Sequence, residues 1–403
     1  MPFCSYTNFV ISTAFVGLAL LFAYYRKDFD PQIYSLPPPP KLDGALAPNK
    51  HLRNAQLLLK GQILGPESLL VENDAIYTGT WDGKILKIVD GVITKTIRLT
   101  NETVCGTFDT EPGKIDVILL KLNQQQNIRL SVCGRPLGIR RLNSELLIVA
   151  DAYFGIYTFD FEKETWRQVF SSKTKVNGEK LSFINDLDVL DERTVFFSDS
   201  SSRWDRRRFL QAFLEQKADG RVFQLDVTTG VAKPLLGSLH FANGLHLHSD
   251  NQSLLISECA MARIVRFYFA GPKKGKRETF IENLPGFPDN IRVSRTGTFY
   301  VGVAGVRHAD DFPLLDKLGN LPWLRKLIVG AIPERYLTTL FTIIKKKYGM
   351  VVEFDAQGKI VSSPQDPDGL VIPDVSQASD DATHIYLGSF HSDFIAKVPK
   401  KGL

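Results

Sequence analysis

One short β-rich unit recurs six times along this chain, and a sixfold count of paired strands leaves few architectures open. The first runs occupy residues 75–79, 147–151, 195–199, 255–258, 299–302 and 385–389, with β-branched and aromatic residues in alternation. Each is followed by a second alternating run, at 85–88, 156–159, 222–225, 264–267, 351–354 and 395–398. Asp82-Gly83 and Asp219-Gly220 place hairpin turn chemistry before two of these second runs. Such a unit cannot bury both of its faces alone, so six copies predict an all-β, six-bladed β-propeller. A β-sandwich offers no reason for a sixfold count. At 403 residues, 44% of them hydrophobic, the chain can bury a core of that size.

A carboxylate or amide also opens an alternating run at four places. Glu67 precedes 68–71, Asn185-Asp186 precedes 187–189, Asn243 precedes 245–247, and Asp289-Asn290 precedes 291–294. If these are equivalent positions in a ring, their oxygens converge on its axis. Glu67, Asn185, Asn243, Asp289 and Asn290 then form an all-oxygen set with two carboxylates, which suits Ca²⁺. Singly, each could merely cap a turn at a strand entry; four in matching places favour calcium.

Between paired runs the connection is long twice, at 200–218 and 304–348. Both insertions belong to one connection type, so both are expected to rise over the metal face as a lid. The second, in the fifth blade, has helical periodicity. Trp323, Leu324, Leu327, Ile328 and Ala331 share a face, and Pro333 opens a run with Tyr336, Leu337, Leu340, Phe341 and Ile344. Lys345-Lys346-Lys347 ends it. A substrate lid, a membrane-dipping helix and a helix packed on the rim all fit this pattern.

The N-terminus carries its own signal. No charged side chain occurs from Pro2 to Tyr25, and 9–25 is nearly all apolar before Arg26-Lys27. A bilayer-spanning helix needs about 20 such residues. We therefore read 1–27 as an N-terminal tail and uncleaved transmembrane signal anchor. Residues 28–49, with Pro37 to Pro40, read as a stiff Pro-rich linker holding the domain off the membrane, and 50–403 as the propeller. Arg26 and Lys27, placed after the span, argue against export of the C-terminal part. The sequons at Asn101 and Asn251 point the other way, to a lumenal or extracellular propeller. So do Cys105 and Cys133, whose disulfide would contribute about 3 kcal/mol in an oxidising compartment. The expectation is a single-pass type II membrane protein. Cys4 and Cys259 are left unpaired, with Cys4 a candidate for acylation. A net charge of +5, well mixed and without basic-aromatic runs, excludes a nucleic-acid partner; a protein partner stays open.

No Gly-x-Ser-x-Gly, His-Glu-x-x-His, Walker or Cys-x-x-Cys motif occurs. His246 and His248, two apart in one run, read as ordinary sheet residues. Several stretches instead resemble the strictosidine synthase-like family. They include Gly65-Pro66-Glu67-Ser68, Cys133-Gly134-Arg135-Pro136-Leu137-Gly138, Ser198-Asp199-Ser200-Ser201-Ser202-Arg203-Trp204 and Pro285-Gly286-Phe287-Pro288-Asp289-Asn290. The resemblance implies a six-bladed propeller related to paraoxonases, with calcium on the axis held by the same five residues. It also implies a type II membrane glycoprotein with arylesterase activity.

Two departures qualify the likeness. The histidine pair that paraoxonases place near calcium corresponds here to Leu137 and Asp151. The glutamate used by plant strictosidine synthases corresponds to about Ser376, beside Gln377, so alkaloid condensation is not expected. The expected function is a calcium-dependent, arylesterase-like hydrolase of an ester or lactone, with Asp151 or Asp199 as base. The alternative is a non-catalytic receptor or adhesion propeller with a structural calcium.

Overall fold

All six pairs of runs form the middle strands of antiparallel blades in a computed structural model. It describes residues 17, 28–72, 74–100, 102, 105, 131–310 and 312–401. The first strand, β1 (Gln56–Leu58), belongs to the last blade. Blade one is β2 (Leu69–Glu72), β3 (Ala75–Gly79), β4 (Lys84–Val89) and β5 (Val92–Arg98). Blade two is β6 (Pro136–Arg141), β7 (Leu146–Asp151), β8 (Gly155–Asp160) and β9 (Thr165–Ser171). Blade three is β10 (Ile184–Val189), β11 (Thr194–Asp199), β12 (Gly220–Asp226) and β13 (Val231–Leu239). Blade four is β14 (Ala242–Leu247), β15 (Ser253–Glu258), β16 (Arg263–Tyr268) and β17 (Arg277–Ile281). Blade five is β18 (Gly286–Val293), β19 (Phe299–Val306), β20 (Gly349–Phe354) and β21 (Ile360–Ser362), with β22 (Gln365–Asp366) also pairing β20. Blade six is β23 (Gln377–Asp380), β24 (His384–Gly388) and β25 (Ile395–Pro399), completed by β1.

Burial explains why the middle strands were the readable ones. Each is covered on both faces by neighbouring blades, as at β3, where all five residues are buried. The core lies between blades: Ile148 and Ile156 of blade two pack with Phe197, Phe223 and Leu225 of blade three. Each such side chain contributes roughly 1.5–3 kcal/mol by leaving water. β1 closes the ring by pairing Gln56, Leu57 and Leu58 with Lys397, Ala396 and Ile395.

The insertions sit where the pairing predicts. Helix α1 (Phe209–Glu215) lies between β11 and β12. Helices α2 (Leu314–Leu318), α3 (Pro322–Ala331) and α4 (Glu334–Ile344) lie between β19 and β20, in the fifth blade. The two insertions pack on each other through Trp204, Leu210, Leu214, Val329 and Leu337.

The segment read as a spacer is a packed strap. Phe29 is fully buried in that same inter-insertion cluster, and the Tyr34 hydroxyl donates to the Leu315 carbonyl. A polyproline run makes no hydrogen bonds of its own, so its carbonyls are open to other donors. Arg307 donates to the Pro37 carbonyl at 2.6 Å and Asn283 to that of Pro38 at 2.9 Å. Among the described residues the packed part therefore reaches back to residue 28 rather than to near 50.

The proposed anchor apart from residue 17, Cys4 and Asn101 lie outside the described residues. Among the described residues no helix is long and apolar enough to cross a membrane. The Cys105–Cys133 disulfide is formed. Asn251 is exposed in the turn between β14 and β15.

Candidate metal centre and the cavity above it

The sequence doublets coincide with breaks in strand register. The innermost strands β10, β14 and β18 each carry an irregularity against their neighbours, between Ile184 and Leu187, Ala242 and Leu245, and Pro288 and Ile291. A bulge frees the residues inside it from the ladder and re-aims their side chains. Asn185, Asn243, Asp289 and Asn290 sit inside these bulges. Blade two has the same break, between Pro136 and Ile139, but fills it with Leu137 and Gly138. In blade one, Glu67 comes from the loop entering β2, where the register is regular.

Glu67, Asn185, Asn243 and Asp289 line one cavity of about 620 Å³. Asn290, the next residue along, is buried but not on that wall. The electrostatics are those of a site short of positive charge. Asn185 Oδ1, Asn243 Oδ1, Asp289 Oδ1 and both polar atoms of the Asn290 amide are buried without a hydrogen-bond partner. The Asn185 amide nitrogen is fixed by donation to Ser200 Oγ at 2.9 Å, which leaves its oxygen for the axis. Burial, and then the neighbouring Glu67 carboxylate, push the Asp289 carboxyl well above the ordinary range. Each unsatisfied buried group costs about 1–3 kcal/mol, so three such oxygens on one wall, with that of Asn290 one residue away in sequence, make a candidate cation site. Among the described residues no three His, Cys, Asp or Glu side chains form a metal cluster. Three of these five candidate donors are amides, which such a grouping leaves out.

Two arginines complicate the charge balance, and neither was singled out by sequence reasoning. Arg135 is fully buried, donates to Glu67 Oε2 at 2.9 Å and to the Gly65 carbonyl at 2.7 Å. Arg206 descends from the blade-three insertion to within 3.9 Å of the same oxygen. It lies against the rings of Phe209, Phe390, Phe183 and Trp81, at 5.2–5.9 Å. Its only sequence signal is the run Arg206-Arg207-Arg208, which reads as a solvated patch. Glu67 is thus half neutralised by protein, whereas Asn185, Asn243, Asp289 and Asn290 keep oxygens without a donor.

The cavity wall is largely aromatic and apolar: Phe183, Phe241, Phe287 and Phe390 from the blades, and Phe209, Phe213, Leu314 and Phe341 from the insertions. Both insertions therefore roof the polar floor. Cys259 also lines it, its thiol pushed well up by burial and by Asp289. Below the floor, the axis is plugged by ion pairs. Arg292 binds both Asp186 oxygens at 2.8 and 3.0 Å, and Arg140 reaches Asp188 at 3.0 Å. His246 Nδ1 lies 2.9 Å from Asp188 Oδ2.

Asp151 and Asp199 are fully buried, and neither lines the cavity. Asp151 Oδ1 accepts from the backbone of Tyr153 and Phe154, both at 2.9 Å. Asp199 Oδ1 accepts from Phe183 N at 2.8 Å, and its Oδ2 pairs with Arg221 at 2.5 Å. Both carboxyls are raised to about 6 by burial. They cap turns. A different titratable cluster stands beside the wall: Asp374 Oδ2 is 2.7 Å from Lys345 Nζ and 3.2 Å from His391 Nδ1. Asp374 Oδ1 accepts from Ser389 at 2.7 Å, and the His391 ring lies tilted against that of Phe390, 4.6 Å between centroids. Lys345 and Phe390 are both wall residues.

Comparison with known proteins agrees with the fold and the motifs. The strictosidine synthase family model matches residues 185–272, and the strictosidine synthase-like N-terminal model matches 44–88. The chain is 40% identical over 394 residues to adipocyte plasma membrane-associated protein of Gallus gallus, covering 97% of this chain and 89% of that one. Among solved structures, a gluconolactonase from Xanthomonas campestris superposes with a TM-score of 0.52 at 15% identity, covering 92% of this chain and 98% of that one. Regucalcin from Agrobacterium tumefaciens gives 0.52 at 10%, with coverage of 85% and 92%. At such identities these two speak for the architecture alone. The chain belongs to the strictosidine synthase-like family, alongside the adipocyte plasma membrane-associated proteins.

Proposed function

We propose that this chain is a membrane-anchored, calcium-binding propeller with arylesterase-like hydrolase activity on an ester or lactone. The observation that carries this reading is the set of donor-less buried oxygens on Asn185, Asn243, Asp289 and Asn290, at and beside the floor of an aromatic cavity. Glu67, with one oxygen already taken by Arg135, completes the set. Calcium held by these five would polarise an ester carbonyl and stabilise the developing oxyanion.

The rest is the work of the chain's own side chains. The phenylalanines of the wall hold an aryl or acyl group, and the two insertions exclude bulk water. His391 is the candidate proton acceptor. Asp374 fixes its Nδ1, leaving Nε2 to take the proton from the attacking water and return it to the leaving oxygen. Anchoring is supported by the apolar stretch at 9–25 and by a relative named as plasma membrane-associated.

The second reading, a receptor or adhesion propeller with calcium as an axial staple, is favoured by one observation. Arg135 already occupies a Glu67 oxygen, so the floor is partly closed by protein. Hydrolysis of an aryl acetate by the full chain in detergent separates the two, measured with calcium, with chelator and for Asn243→Ala. The expected outcome is a calcium-dependent rate that falls at least tenfold with chelator and in the variant, while the fold persists. No rate above background, with calcium only raising Tm, would sink the hydrolase and leave a binding scaffold.

A further inference from the structure

We propose that the outer face of the fifth-blade insertion lies on the surface of a bilayer containing anionic phospholipid, with the cavity mouth opening through it. Helix α4 carries one wide apolar arc, buried at one edge and exposed at the other. Leu337 is buried with Phe29, Trp204 and Val329 of the strap and insertions, while Tyr336, Leu340 and Ile343, at i, i+4 and i+7, form an outward stripe, with Ile344 exposed at the helix end. Ile343 is 72% exposed, and Trp323 on α3 and Phe312 before α2 are 64% and 69% exposed. Such large apolar exposure in one insertion marks an interaction surface. At 11 residues α4 is about 16 Å long, so it can lie in an interface but not cross one.

Charge and tether identify the occupant. Exposed Lys346 and Lys347 follow the stripe directly. The acids beside it, Asp316 and Glu334, are paired with Arg307 and Arg208. An apolar stripe ended by lysines suits an anionic lipid surface. The strap then fixes the distance. Arg203 donates to the Asp28 carbonyl at 2.5 Å, and Phe29 is buried against Val329 and Leu337. Only Arg26 and Lys27 separate Asp28 from the apolar stretch that ends at Tyr25. That gap spans at most about 10 Å. A chain anchored through 9–25 must therefore hold this insertion at the bilayer. Phe312, Leu314 and Ile344 belong both to the exposed face and to the cavity wall. A lipophilic substrate can thus enter from the membrane without crossing water.

The inference rests on the anchored reading above, and its test separates the two. The full chain is reconstituted into liposomes of phosphatidylcholine with phosphatidylserine whose acyl chains carry a nitroxide quencher. The emission of Trp323 is isolated by difference from Trp323→Phe, a conservative change at an exposed site. The expected result is at least twofold quenching of the Trp323 component in protein that floats with the liposomes. In Trp323→Glu/Ile343→Glu, flotation persists and hydrolysis of a soluble aryl acetate is unchanged, but hydrolysis of an ester dissolved in the bilayer falls at least fivefold. Floating protein with unquenched Trp323 overturns the docking while the anchor stands. Failure to float overturns both. A dimer in detergent that Ile343→Glu dissociates assigns the face to a second copy and also overturns it.

Discussion

Asp186 and Asp289 are both acidic, both buried and both at the start of an innermost strand, yet the chain treats them in opposite ways. At Asp186, burial raises the carboxyl but the Arg140 and Arg292 guanidiniums outweigh it and hold it below its usual range. At Asp289 burial and the like charge of Glu67 raise the carboxyl, and the Arg206 guanidinium lowers it too little to offset them. The fold can neutralise an axial carboxylate, as it does at Asp186 and in part at Glu67, and at Asp289 it does not. That difference is the residue-scale case for a cation. The same scale assigns the proton acceptor a test. Burial is the largest influence on His391 and lowers its pKa below 6.5, with Lys345, Arg206 and Lys347 adding to the effect against Asp374. A base must be neutral, so hydrolysis should rise with pH through a midpoint below 6.5 and level off above it. His391→Gln should lower kcat by about 10²–10⁴-fold and remove that limb, with Tm little changed. A pH–rate profile of unaltered shape in the variant would clear His391 of the role.

At the scale of elements, the bulge is the device that turns a strand entry into a candidate ligand position, and it depends on blades standing very close. A Cβ on Gly244 would lie 2.5 Å from both Asn290 Cα and the Asp289 carbonyl oxygen. Backbone cannot yield there as a flexible side chain could. Gly244→Ala should therefore push blade four from blade five, costing about 1–3 kcal/mol and abolishing the stabilisation by calcium. Thermal melts with and without calcium read both effects; a calcium response of native size would separate the bulges from the site. The middle strands were legible because burial on both faces imposes β-branched and aromatic residues in period two. The polar doublets were legible as strand entries, but not as bulges, because strict alternation would send one member to each face. Arg206 was illegible for another reason. Nothing local distinguishes it from Arg207 and Arg208; the rings of Trp81, Phe183 and Phe390, from three distant segments, and of nearby Phe209 make it a buried residue. Helix α4 carried its apolar positions openly, yet the sequence could not divide them into a buried and an exposed edge, since both are apolar.

The whole molecule is closed twice by its N-terminal segment, once as a strand and once as a strap, and the strap was the least legible element. Two isolated aromatics, Phe29 and Tyr34, show no periodicity, and a proline run reads as a spacer unless its carbonyl partners are known. The two closures should separate on truncation. A chain starting at residue 60 lacks β1 and leaves the edge of β25 unpaired, with Leu57 and Leu58 removed from blade packing. An open edge of that kind recruits other chains, so this product should aggregate. A chain starting at residue 50 keeps the ring but loses Phe29, whose deletion from a packed cluster alone is worth about 3–5 kcal/mol. Part of its cost falls on the insertions, where Phe29 clusters with Trp204, Val329 and Leu337, and part on the outer edge of blade five, where Leu42 and Leu46 pack and Asn49 accepts from Gln365 N at 2.9 Å. The roof should therefore loosen while the floor stays whole. Limited proteolysis should cut within 309–347 at least tenfold faster than in a chain starting at 28, and aryl acetate hydrolysis should fall as water enters. Stabilisation by calcium should be kept, since its five candidate ligands all lie beyond the cut. Equal cleavage of the two products would mean that the insertions hold each other without the strap, and that the N-terminal segment is a passenger on the lid.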